Sequence, residues 1–219
     1  MMNIQNNVLF GFPVMSTTIS KKTYNKKDII STIEKNFKIS NKRNNWDNKS
    51  VLHHSADDWN NSKYHKINFE SILPVYKKTI GKMLTQLKIG PEYSFEFEIA
   101  NYTCLSNTNF MLPHLHPDSD FAAVHYIQFD KKNHTATKFI NTSPYVDYIR
   151  KIRPELFKVF SSENFKNSWA FGHWVNAVEE DDFYCYPSYL KHEIEPQISK
   201  DKKRITIAIN INLKTIGKR

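Results

Sequence analysis

The spacing of apolar residues changes once along this chain, and the change divides it in two. Residues 27–38 place Ile29, Ile30, Ile33 and Phe37 on one face of a helix. Residues 71–87, SILPVYKKTIGKMLTQL, repeat Ile72, Tyr76, Ile80, Met83 and Leu87 at spacings of three and four. Ser71 can cap that second helix. Pro74 falls in its first turn, where a missing N–H is tolerated. Gly90-Pro91 stops it. After this point the period is two. Tyr93, Phe95, Phe97 and Ile99 alternate with Ser94, Glu96 and Glu98, the mark of a half-buried strand. Further strands are expected at 121–129, 135–140, 170–177, 182–186, 191–195 and 204–213, and a first one at 8–15, VLFGFPVM. Residues 40–62 are polar and turn-rich, and 145–166 read as helical.

A helical start followed by many short strands predicts a mainly β protein with supporting helices, its strands forming two packed sheets of a jelly roll. The expected organisation is one domain over 1–219, with a helical support region at 1–90 and the jelly-roll core at 91–219. Hydrophobic residues make up 40% and aromatics 14%, a globular composition rather than a disordered one. No apolar run is long enough for a membrane-spanning helix, and the N-terminus lacks the pattern of a signal peptide. Cys104 and Cys185 belong to no CxxC or zinc-finger spacing and read as buried thiols in a reducing cytoplasm. The formal charge of +9 is concentrated at the two ends of the chain, while residues 51–200 are slightly acidic. Basic ends can attract nucleic acid, but no phosphate-cradling loop or reading helix accompanies them.

Three histidines stand out by spacing. His114 and His116 sit at i, i+2 in PHLHPDSD, where strand geometry would put both imidazoles on one face. His192 follows far downstream in YPSYLKHEIEP, between two expected strands. A close pair plus a distant third ligand builds an open metal site of the kind that suits non-haem iron. The same three ligands also suit zinc or a cupin-like binding module. In RITIAININL, Ile205, Ile207, Ile209, Ile211 and Leu213 share one strand face; Arg204, Thr206, Ala208, Asn210 and Asn212 share the other. An arginine with a threonine two residues on can grip a carboxylate. The competing expectation is an edge arginine paired with Glu193 or Glu195.

These motifs, in this order, resemble the family of 2-oxoglutarate/Fe(II) oxygenases common in bacteria and large tailed phages. HLHPDSDFAAVHYI (114–127) is similar to its His-x-His-Pro strand, YPSYLKHEIEP (186–196) to its Phe-Pro-Ser…His segment with Tyr186 where Phe is usual, and Arg204-Ile205-Thr206 through Asn210 to its final Arg-Ile-Ser…Asn. The opening LFGFPV also fits. Two departures bear on the mouth of the pocket: Ala122-Ala123 replaces a Ser-Gly step, and the run Glu179–Asp182 replaces a glycine. The resemblance implies a double-stranded β-helix and three cofactors: Fe(II), 2-oxoglutarate and O2. It implies iron ligands His114, His116 and His192, and cosubstrate contacts from Arg204 and Thr206. Tyr126 or Tyr102 is a further candidate for that contact, and Asp118 or Asp120 a candidate for orienting the imidazoles. His116 with Asp118 also fits the His-x-Asp spacing of the wider superfamily, so that assignment is open.

By analogy with the family, the expected activity is hydroxylation of a protein side chain; a nucleic-acid base is second, favoured only by the basic ends. The expected setting is a bacterial or virus-infected host cytoplasm. Two other readings stand beside it: a cupin-like metal-binding module without 2-oxoglutarate turnover, and a basic nucleic-acid-binding protein. Trp46, Trp59, Tyr145, Tyr148 and Trp169 fall in the loops expected to border the site.

Overall fold

The alternation in RITIAININL becomes the axis of the molecule. The computed structural model describes residues 11–39, 52–55, 63–90, 93–106, 109–155, 171–198 and 201–216. In chain order its elements are β1 (Met15–Thr18), α1 (Lys26–Ile39), β2 (Leu52–Ser55), α2 (Leu73–Gln86), β3 (Tyr93–Leu105), β4 (Met111–His114), β5 (Phe121–Gln128), β6 (Thr137–Ile140), α3 (Pro144–Ile152), β7 (His173–Val175), β8 (Asp182–Pro187), β9 (His192–Ile194) and β10 (Arg204–Thr215). A six-stranded sheet runs β1-β8-β5-β10-β3-β2, and a four-stranded sheet runs β4-β9-β6-β7. The described pairings are antiparallel. This is the two-sheet jelly roll with helical support.

Ile205, Ile207, Ile209 and Ile211 are fully buried and join Ile29, Ile33, Ile72, Tyr76 and Ile80 in one core between the large sheet and the helices α1 and α2. Each such side chain contributes about 1.5–3 kcal/mol through burial, so the helices are fixed to the sheet by its odd-numbered face. The even-numbered face of β10 looks into the space between the sheets. There Ala122, Val124, Tyr126, Phe139, Tyr184 and Tyr186 form a second core.

Several boundaries differ from the sequence reading, each for a physical reason. The first strand is Met15–Thr18, whose ladder partner is β8; residues 8–10 lie outside the described residues. β3 continues to Leu105 because a register shift opposite Ala208/Ile209 absorbs the break in alternation after Ile99. Ser71 does not cap α2: the N-cap is Ile72 without a side-chain bond, and the Ser71 hydroxyl accepts from Asn25 N at 3.1 Å. Of the helix expected at 145–166, Pro144–Ile152 is helical, while 156–170, with Trp169, lies outside the described residues, as do Trp46 and Trp59. Among the described residues no helix is long and apolar enough to cross a membrane.

Candidate metal centre and anion pocket

The pairing of β4 with β9 sets His114 directly opposite His192. His114 is the last residue of β4. His116 lies in the following loop rather than on the strand, so strand alternation is not what brings it in. Its backbone N–H donates to Ser188 O at 3.0 Å, and Ser188 N–H donates to Asp120 O at 3.1 Å. The Pro187-Ser188 step therefore ties down the loop that carries His116. The three rings converge, with centroids 4.3 Å apart for His114/His192, 5.2 Å for His116/His192 and 5.5 Å for His114/His116. One ring nitrogen of each lies within 4.8 Å of the others, and among the described residues this is the group of His, Cys, Asp and Glu that can hold a metal ion. Exposed Asp118 is not part of it.

Backbone carbonyls set the tautomer of two of these imidazoles. Nδ1 of His114 is 2.8 Å from Leu112 O, and Nδ1 of His192 is 2.8 Å from Leu190 O. A carbonyl can only accept, so each Nδ1 carries the proton and each Nε2 presents its lone pair. Backbone carbonyls thus do the orienting expected of Asp118 or Asp120; the Asp120 carboxylate instead accepts from Leu213 N at 2.7 Å. Burial, and then the neighbouring His114, push His192 down to about 3, with the Leu190 carbonyl acting in the opposite direction. Burial and His114 likewise lower His116 to about 4, against an opposing contribution from the Asn210 side chain. Both rings are neutral at pH 7, the form that ligates a metal. Tyr186, buried and 3.4 Å from His192 Nε2 through its hydroxyl, is held as the neutral phenol by the same desolvation.

Deeper between the sheets, Arg204 is fully buried. Its guanidinium lies over the Tyr126 ring at 5.0 Å. It reaches Thr206 Oγ1 at 3.3 Å and Thr137 Oγ1 at 3.5 Å, both long contacts, and its Nε has no hydrogen-bond partner. Burial pulls its pKa downward, but a guanidinium starts so high that it remains a cation. Among the described residues no carboxylate pairs with it. Glu193 and Glu195, the expected surface partners, pair instead with Lys138 at 3.0 and 2.7 Å. A buried cation without a carboxylate partner costs several kcal/mol, which the long hydroxyl contacts and the Tyr126 ring offset only in part.

Tyr126 supports this cation from beneath, and its hydroxyl donates to Thr137 Oγ1 at 2.7 Å. The Thr206 hydroxyl is 2.7 Å from that of Thr103. Thr137 and Thr103 were not singled out in the sequence, because a lone threonine in a strand carries no signal of its own. Tyr102 belongs elsewhere: it lies in the helix-side core, where its hydroxyl accepts from Asn36 Nδ2 at 3.0 Å. Cys104 and Cys185 are buried free thiols, and desolvation raises Cys185 to about 12, so neither is poised as a nucleophile.

Residues 102–210 match a family model described as "Putative 2OG-Fe(II) oxygenase". No curated protein matches the sequence. Among solved structures the chain is similar to a Pseudomonas putida prolyl-4-hydroxylase, at 8% identity over 91% of each chain with a TM-score of 0.51. It is also similar to a Trichoplax adhaerens prolyl hydroxylase in complex with a hypoxia inducible factor oxygen degradation domain peptide fragment, at 10% identity over 93% of this chain and 84% of that one, TM-score 0.51. A third similar structure is SnoK, a non-heme alpha ketoglutarate dependent carbocyclase from nogalamycin biosynthesis, at 9% identity over 90% and 78% of the two chains, TM-score 0.56. At these identities the likeness is one of fold.

Proposed function

Because the chain belongs to the 2OG-Fe(II) oxygenase family through residues 102–210, we propose that it is a hydroxylase of a protein side chain. In this proposal His114, His116 and His192 hold the iron, and Arg204 with Thr206 holds the far carboxylate of 2-oxoglutarate. The observation that carries the reading is the buried Arg204 guanidinium, which has no carboxylate partner among the described residues, on a strand of the large sheet while His114 and His192 lie on strands of the other sheet. The donor set fits the metal: three imidazole nitrogens lie within 4.8 Å of one another, and three protein ligands leave coordination positions for other groups. Fe(II) with 2-oxoglutarate and O2 supplies the oxidising power, coupling decarboxylation of 2-oxoglutarate to succinate with oxidation of the substrate.

The chain's own residues supply position, charge and dryness. The Leu112 and Leu190 carbonyls fix which nitrogen of His114 and His192 faces the metal. Tyr126 keeps the guanidinium in place by stacking beneath it and, through its hydroxyl, anchors Thr137. The Tyr186 phenol stays protonated beside His192 and can donate one hydrogen bond within the centre. Three neutral ligands leave the full charge of the metal to be balanced by the cosubstrate, which makes the anion pocket at Arg204 integral to the site.

Protein hydroxylation as the activity rests on fold analogy with the prolyl hydroxylases, one of them held with a peptide. The test is anaerobic addition of Fe(II) and 2-oxoglutarate, followed by the weak visible charge-transfer band of an iron-bound 2-oxo acid, and then by succinate formation on admitting O2. Band and succinate together support the oxygenase site. Iron bound with neither signal points to a metal-binding module instead.

A further inference from the structure

The sheets bury one hydroxyl whose partner is an atom that a metal would take. On β8, Tyr186 is in register with Ala122 of β5 and packs in the core between the sheets. Its ring lies edge-on to Phe139, with centroids 4.9 Å apart, and to His192 at 5.2 Å. Tyr186 is 2% exposed, so its ring is clamped and its hydroxyl is kept from water. That hydroxyl lies 3.4 Å from Nε2 of His192 and has no other hydrogen-bond partner among the described residues. The Leu190 carbonyl holds the imidazole proton on Nδ1, so the Nε2 lone pair serves both Tyr186 and a metal. A metal on Nε2 removes that acceptor, and a buried hydroxyl then needs another partner. The contact is also long for a hydrogen bond. It suits two donor atoms bound to one ion at about 2.1 Å each, which lie roughly 3–3.4 Å apart.

Charge points the same way. Among the described residues the cluster consists of three histidines, with no carboxylate or thiolate in it. Without 2-oxoglutarate, nothing in the cluster offsets the charge of the metal. A bound trivalent ion is the largest local charge in such a site and draws an anionic oxygen to itself. Resting on the oxygenase reading above, we infer that Tyr186 is a fourth protein ligand of the centre in its oxidised, cosubstrate-free form, its oxygen binding Fe(III) as the phenolate. In that step the O–H bond breaks, the Fe–O bond forms and the proton passes to water; no electron is transferred. When an external one-electron donor reduces the metal to Fe(II), the oxygen takes back a proton from water and the Fe–O bond breaks. The phenol is then restored beside His192, and the position it held is open to 2-oxoglutarate. Tyr186 thereby closes the centre while its cosubstrate is missing.

The experiment uses the full chain loaded with Fe(III) under argon, without 2-oxoglutarate, and records its visible and resonance Raman spectra. Wild type should show an intense phenolate-to-iron charge-transfer band, with ring modes that shift when the protein is made with ring-deuterated tyrosine. Dithionite, as the one-electron donor, should bleach the band, and the intact mass should stay that of the unmodified chain. Tyr186→Phe keeps the ring that packs on Phe139 and should lose the band completely while metal analysis shows iron still bound. Tyr186→Glu, an anionic oxygen without the chromophore, should likewise hold iron without the band. No band in iron-loaded wild type, a band that survives in either variant, or a band that dithionite leaves in place overturns the inference. So does a band accompanied by the gain of an oxygen atom in the mass, since the ligand is then a modified ring. Loss of iron from both variants makes Tyr186 a packing residue and overturns it as well. The Fe(II)–2-oxoglutarate band and succinate formation are recorded on the same wild-type preparation, so failure of the oxygenase reading is seen separately.

Discussion

Replacing Arg204 with methionine should move stability and ligand affinity in opposite directions. The side chain is fully buried, touches two hydroxyls at 3.3 and 3.5 Å, and has no carboxylate partner among the described residues. In the absence of ligand its charge is a net cost to the fold, and exchanging a buried ionic group for an apolar one of similar volume is often neutral or stabilising by about 1–4 kcal/mol. The ligand-free Arg204→Met protein should therefore melt no lower than wild type. Affinity for 2-oxoglutarate should fall by about 2–5 kcal/mol, the cost of removing one partner of a buried charge pair, which is roughly 30- to 4000-fold. Thermal melts with and without 2-oxoglutarate read both effects. At a hundred times its Kd the cosubstrate stabilises wild type by about 2.7 kcal/mol, and at the same concentration this increment should drop to about 0.9 kcal/mol or less in the variant. A variant that melts far below wild type yet retains its 2-oxoglutarate response would refute the reasoning, because Arg204 would then be a structural residue.

Three further outcomes are expected. His114→Ala should lose iron while Asp118→Ala retains it, checked by metal analysis after desalting; the reverse pattern would move the ligand set to His116 and Asp118. In the metal-free protein, His116, His125 and His192 are all depressed in the fold from an ordinary value of 6.5, to about 4, 3 and 3. The unfolded chain therefore takes up these protons first, so their contribution is complete above pH 6.5 and is lost as pH falls toward 3; urea midpoints at pH 7 and pH 5 should show this, and bound metal should reduce the difference. Tyr76→Phe removes the hydroxyl 2.9 Å from Nδ1 of the fully buried His125 and should cost about 1–3 kcal/mol through the unsatisfied imidazole, measured by chemical denaturation; no loss would mean that water takes the place of the phenol.

Wherever a feature depended on spacing along one strand or helix, the sequence alone was sufficient. The period of two in β10 separated the isoleucines that face the helices from the polar residues that face the site, and Ile29, Ile33, Tyr76 and Ile80 went to the core as the 3.6 period required. The clustering of His114, His116 and His192 was expected from their residue type and spacing, although His116 comes in from the loop after β4 and not by strand alternation. What no local pattern encodes is which strands become neighbours. The β4–β9 pairing that sets His114 against His192 joins residues far apart in the chain. So do the Thr137 contact with Arg204 and the sheet face on which Tyr102 lies. That no carboxylate among the described residues pairs with Arg204 is likewise tertiary: Glu193 and Glu195 are close in sequence, but the second sheet directs them to Lys138.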